Sequence, residues 1–149
     1  MDIVVVRTDG SWYTRPDITL VRDADRFCLP DDCKAAVAHK TLCLRIEKAG
    51  KALEERFAHR YFDSFAHGIL LYGIQEDGSL TPYLDRATVV ERQFHPLEQL
   101  DKDLSAAMTA TVVKISRHIS YRIGDLIAFE QDPPKPLERG EHFENIDIL

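Results

Sequence analysis

The chain has 149 residues, 44% hydrophobic and 30% charged, with seven Gly and seven Pro. One domain spanning 1–149 is expected, since single domains cluster near about 100–150 residues, and collagen-like, low-complexity and disordered classes are excluded. Nineteen basic residues against 25 acidic ones give a net charge of −6, which argues against a nucleic-acid partner because such modules carry a basic excess.

Residues 3–6 form a β-branched apolar run ended by the Asp9-Gly10 turn and predict a first strand. A second is expected over 18–21, after Arg15-Pro16-Asp17, and residues 23–25 then turn the chain toward Phe27-Cys28-Leu29-Pro30. Residues 37–46 predict an extended segment with Val37, His39, Thr41, Cys43 and Arg45 on one face. Ala38, Lys40, Leu42, Leu44 and Ile46 make the more apolar second face, so the first is expected to open onto a cleft or solvent. In residues 52–62, Leu53, Phe57 and Tyr61 recur every four positions and predict a helix. A buried strand follows over 67–74, a turn over 76–79 and a short strand over 88–90. Met108, Val112, Ile115 and Ile119 give residues 104–121 helical spacing, and Gly124-Asp125 turns into a strand over 126–129. Asp132-Pro133-Pro134-Lys135-Pro136 predicts a stiff loop that no helix or central strand could cross, and 143–149 a last strand. The order of elements indicates a strand-rich α+β domain with two main helices.

No apolar stretch approaches the ~20 residues of a membrane span, so no membrane association is expected. The N-terminus lacks a basic region and a small-residue cleavage site and reads as a strand, not a signal peptide. Cys28, Cys33 and Cys43 cannot all pair and match no zinc or redox spacing, which fits a reduced, cytoplasmic protein. There is no P-loop, dinucleotide fingerprint, nucleophile elbow or HExxH helix. Among six scattered histidines, His59 is expected on a helix surface and His118 near a helix C-terminus, where a cation is favoured. His39 and His67 lie on or beside candidate central strands, where a hydrogen-bonded structural role is the ordinary expectation. Most acids fall in turns or on helix exteriors; Glu130 and Asp132, after a buried strand, are the two that could line a cleft.

Several blocks in order carry a more specific signal: Arg15-Pro16-Asp17; Leu44-Arg45-Ile46-Glu47-Lys48-Ala49-Gly50-Lys51; Glu54-Glu55-Arg56-Phe57-Ala58-His59-Arg60-Tyr61-Phe62-Asp63; Phe94-His95-Pro96-Leu97; and Ser116-Arg117-His118 through Gly124-Asp125-Leu126-Ile127. From about Arg15 onward the chain resembles the C-terminal domain of the fumarylacetoacetate hydrolase family. The resemblance implies an α+β fold, a mixed β-sandwich or β-roll with two main helices. It also implies metal-dependent hydrolases, isomerases, hydratases or decarboxylases of 2-oxo and β-diketo acids, in which carboxylates hold a divalent cation, usually Mg²⁺, that stabilises an enolate-like state.

At the positions the resemblance assigns to the site, this chain departs from the family. His39-Lys40-Thr41 stands in place of Glu-x-Glu, Leu70 in place of the ligand Asp, and Tyr83 at the position of a Lys. Phe129-Glu130 falls near the Thr-Gly substrate contact, and Arg15 replaces the Lys before Pro-Asp with its charge retained. The family's N-terminal acid–base segment has no counterpart, and the stretch between Leu70 and Phe94 is short. The expectation is therefore a degenerate family member without its metal or activity, serving as a binding or interaction protein. A homodimer, pairing with an active paralogue, and a small organic acid ligand are the expected associations. The alternative is an active enzyme with a rebuilt site, in which His39, His67 and Glu130 bind a softer ion such as Zn²⁺.

Overall fold

An unbroken β-branched run has no polar side to offer water, so it belongs inside a sheet. β1 (Asp2–Val6) obeys this, with Ile3 and Val5 fully buried. The computed structural model describes residues 1–131 and 133–149; the expectation attached to Asp132 lies outside them. The strands that follow are β2 (Trp12–Pro16), β3 (Leu20–Arg22), β4 (Arg26–Phe27), β5 (Cys33–Arg45), β6 (Ser64–Gln75), β7 (Leu80–Thr81) and β8 (Thr88–Val90). After them come β9 (His95–Pro96), the helix α1 (Lys102–Ile115), β10 (Leu126–Glu130), β11 (Lys135–Leu137), β12 (His142–Phe143) and β13 (Ile146–Ile148).

Among the described residues, ten strands make one mixed sheet, ordered β2-β1-β10-β5-β6-β8-β3, with β7 and β9 on β6 and β11 on β5. β12, β13 and β4 make a small second sheet. β1 runs parallel to β10 and antiparallel to β2, giving the expected strand-rich α+β roll.

The spine is the antiparallel pair β5–β6, 13 and 12 residues long, about twice the usual strand. Its twist curls the sheet and separates an inner from an outer face. Outward, Leu42, Leu44, Phe65, Ile127 and Phe129 pack against Met108, Val112, Val113 and Ile115 of α1. Farther along the same outer face, Ala36, Ala38, Ile69 and Leu71 pack under Phe27, Ile146 and Ile148 of the small sheet. Inward, Ile3, Val5, Cys43, Ala66, Leu70, Tyr72, Leu126 and Ala128 meet one another across the roll. The spine is thus covered on both sides. The His39–Thr41–Cys43 face expected to be open is instead interior, with His39 at 5%, Thr41 at 3% and Cys43 at 0% exposure.

Both helical expectations shorten. Residues 52–62 form only a 3-10 helix, Glu55–Arg60, and the segment before it is not helical. Ala52 has a positive φ of 51° and donates its N–H to Ser116 O, while the Leu53 N–H donates to Ser116 Oγ. Ser116 Oγ in turn donates to Val113 O, which helps end α1 at Ile115 and not near Tyr121. The helix starts at Asp101, whose carboxylate accepts from the Asp103 and Leu104 amides at 3.1 Å each, a standard N-cap. Gly50 lies where these segments meet: a Cβ there would sit 2.6 Å from the Tyr61 ring, so only glycine fits. In the loop expected to be stiff, Lys135–Leu137 pairs with β5, and Pro136 is tolerated because β11 has only this one strand neighbour. Among the described residues no helix is long and apolar enough to cross a membrane.

Candidate functional site

Strand alternation sends Ile3, Val5 and then Arg7 inward from β1, and register places Tyr13 beside Val5 and Arg15 beside Ile3. From β10 the same phase delivers Glu130 opposite Thr41, and from β6 it delivers Leu70 opposite His39, with Tyr72 two residues on. Five long polar side chains therefore enter the inner face beside the apolar cluster.

They satisfy one another in a single direction. Arg15 Nε donates to Tyr13 Oη at 2.9 Å, Tyr13 Oη to Tyr72 Oη at 2.7 Å, and Tyr72 Oη to Glu130 Oε1. From the other side Arg7 Nε donates to Glu130 Oε2 at 3.2 Å. Arg15, at 1% exposure, gives its remaining donors to Ala87 O, Thr88 Oγ1 and Leu71 O at 3.0–3.2 Å, and its guanidinium lies 4.7 Å from the Tyr72 ring centroid. Burial pushes the Tyr72 hydroxyl far above the ordinary tyrosine range, helped by its bond to Glu130, and burial raises Tyr13 as well. Both therefore stay protonated and act as donors. His39 lies edge-on to Tyr72. Its Nδ1 is 3.7 Å from Glu130 Oε2 and has no hydrogen-bond partner among the described residues.

The residues expected at the site fall into three groups. Arg15, His39, Thr41, Leu70 and Glu130 share the inner face. Tyr83 stands at its rim, 60% exposed and edge-on to Tyr13. Phe129 points the other way, into the core under α1, because it is one residue out of phase with Glu130. His67 is likewise out of phase with Leu70 on β6, so it does not join His39 and Glu130; it lies on the outer face beside Glu91 and His95. His59 is exposed in the 3-10 helix, and His118 follows the end of α1 with its N–H on Ile115 O. Tyr13, Tyr72 and Arg7 were not singled out in the sequence. The signal that would have found them is the two-residue phase running outward from Ile3, Val5 and Leu70.

The inner residues do not fit a hard divalent cation. His39, Thr41 and Leu70 offer one imidazole, one hydroxyl and no carboxylate, whereas Mg²⁺ requires a near-octahedral set of oxygens. Glu130 supplies the nearby carboxylate, and both its oxygens are already engaged by Tyr72 and Arg7. Thr41 Oγ1 is 3.7 Å from Cys43 Sγ, and burial pushes that thiol up to about 11, which keeps it neutral. Gly68, opposite Thr41, leaves no spare room: a Cβ there would lie 2.8 Å from Thr41 Oγ1 and 2.7 Å from Val89 O.

Open space lies instead on the outer face. In the gap between the two covers, a cleft of about 340 Å³ is lined by Asp23, Lys40, His67, Ile69, Glu91 and Glu144, among others. Lys40 Nζ is paired with Glu144 at 2.8 Å, and Arg92 with Asp23 at 3.4 Å.

No family model and no curated protein matches the chain. Solved structures do. A proposed fumarylacetoacetate hydrolase family protein from Yersinia pestis CO92 superimposes with a TM-score of 0.75 at 13% identity, covering 93% of this chain and 84% of that one. Fumarylpyruvate hydrolase from Pseudomonas aeruginosa, in complex with Mn²⁺ and pyruvate, gives 0.71 at 16% identity, with 94% and 82% coverage. The 5-carboxymethyl-2-hydroxymuconate delta-isomerase from Mycobacterium smegmatis gives 0.72 at 14%, with 93% and 71% coverage. At these identities the likeness is one of fold: this chain has the fumarylacetoacetate hydrolase family fold.

Proposed function

We propose that this protein keeps the fumarylacetoacetate hydrolase fold without the family's metal-dependent chemistry, and acts as a binding or interaction protein. One observation carries this reading: where the resemblance puts three carboxylates around a cation, this chain has buried His39, Thr41 and Leu70, and the nearby Glu130 is held by Tyr72 and Arg7. A cation entering there would have to displace two hydrogen bonds and face apolar Leu70, Ile3 and Val5. Homodimerisation or pairing with an active paralogue, and a cytoplasmic setting, belong to the same proposal.

The outer cleft supports interaction over capture of a small organic acid. Asp23, Glu91 and Glu144 face Lys40 and His67 there, and Lys40 is already paired, so a free anion would meet net negative charge. The test is turnover of fumarylpyruvate and oxaloacetate by the untagged protein with Mg²⁺ or Mn²⁺ added. No metal-dependent turnover is expected. Turnover that is lost in Glu130→Gln would overturn the proposal.

A further inference from the structure

Three donor side chains outside the inner network converge where β6, β8 and β9 meet. His67 comes from β6, Glu91 directly follows β8, and His95 opens β9. One donor atom from each lies within 4.8 Å of the other two. His95 Nε2 is already 2.8 Å from Glu91 Oε1.

The scaffold fixes this triangle. Glu91 N donates to His67 O at 3.0 Å, and His67 N donates back to Glu91 Oε1 at 2.8 Å. Phe65, paired with His95 across β6 and β9, presents its ring to both imidazoles at centroid distances of 5.5 and 5.4 Å. Burial works against an ionised Glu91, but the His67 amide and the His95 ring hold its carboxyl below the usual range, so it is available as an anionic donor.

We propose that His67, Glu91 and His95 bind one borderline transition-metal cation, of which Zn²⁺ is the representative, on the outer face of the sheet. Two neutral imidazoles and one carboxylate are the donor types such an ion selects over Mg²⁺. Metal–donor bonds of about 2.0–2.2 Å place tetrahedral donors roughly 3.4 Å apart. The donor atoms already lie within 4.8 Å of one another, so a modest side-chain adjustment separates them from that spacing, and His67 is exposed. Three protein donors leave a fourth position, and His67 and Glu91 also line the acidic cleft that contains Asp23 and Glu144. The charge that makes this cleft hostile to an organic acid favours a cation. The site is independent of the inner face, so its fate does not decide the loss of the family chemistry.

The experiment is calorimetric titration of untagged protein with Zn²⁺, paralleled by the visible spectrum of Co²⁺ added in its place. One equivalent of Zn²⁺ is expected, with a Co²⁺ spectrum of four- or five-coordinate intensity. His67→Ala, which removes an exposed ring, is expected to weaken binding by more than the about 10–100-fold that follows loss of an outer-shell partner. His59→Ala and His118→Ala leave it unchanged. Absence of stoichiometric Zn²⁺ binding, or binding of equal strength in a His67→Ala protein with an unaltered circular dichroism spectrum, overturns the proposal.

Discussion

The two faces of the main sheet both receive polar side chains and use them in opposite ways. On the inner face, Arg15, Tyr13, Tyr72, Glu130 and Arg7 bond to one another and to backbone carbonyls. Their polarity is consumed by packing. On the outer face, Lys40, His67 and Glu91 line open space with His95 beside them, and their bonds are partly exposed. Polar residues that satisfy each other in the interior contribute structure, and those that border a cleft stay accessible to a ligand. On the proposed reading, a family active-site position filled by the first kind serves as core.

This contrast is broken or sharpened by substitution. The largest effect is expected at Arg15: Arg15→Ala would remove the guanidinium donors to Leu71 O, Ala87 O and Thr88 Oγ1, of which Ala87 O keeps Leu71 N–H and Thr88 Oγ1 keeps Thr19 Oγ1, and open a cavity beside Tyr72. A loss of about 3–5 kcal/mol is expected, read as a lower urea midpoint at constant slope. A shift under 1 kcal/mol would mean the inner network is not structural. Tyr72→Phe removes the hydroxyl joining Tyr13 to Glu130 and should cost about 1–3 kcal/mol.

Alkaline pH probes the same hydroxyls. Burial raises Tyr72, Tyr13 and Tyr121 in the folded chain. Their contribution is therefore complete below the unfolded tyrosine value of about 10 and declines as pH rises through it, because the unfolded chain then releases protons that the folded chain retains. The urea midpoint should fall between pH 9 and 11, and Tyr72→Phe should flatten that fall; an unchanged slope would remove Tyr72 from the account. The smallest effect is expected outside: Lys40→Ala breaks an exposed pair with Glu144 and should change stability by roughly 0–1 kcal/mol.

Much of this architecture is legible in the chain. The strands around Ile3, Val89 and Ile127 follow from short apolar β-branched runs, and α1 from its Met108–Val112–Ile115 spacing. The failures have a common cause in distant bonds. Residues 52–62 carry a helical pattern, but Ala52 takes a positive φ where the segment docks on Ser116, 63 residues beyond Leu53. The His39–Thr41 face reads as polar and hence open. It is closed by partners that only register brings near, such as Glu130 with Tyr72, 58 residues apart, and with Arg7, 123 apart. The resemblance puts Phe129 at the site, but the strand phase turns it outward into the core under α1. The His67–Glu91–His95 triangle likewise depends on β6 meeting both β8 and β9.

The most direct measurement is Mn²⁺ titration of the His67→Ala protein by calorimetry, which removes the outer site and leaves the inner residues intact. If the inner face is core, no stoichiometric Mn²⁺ binding is expected. One equivalent of bound Mn²⁺, abolished by adding Glu130→Gln, would show instead that the inner face still holds a metal centre.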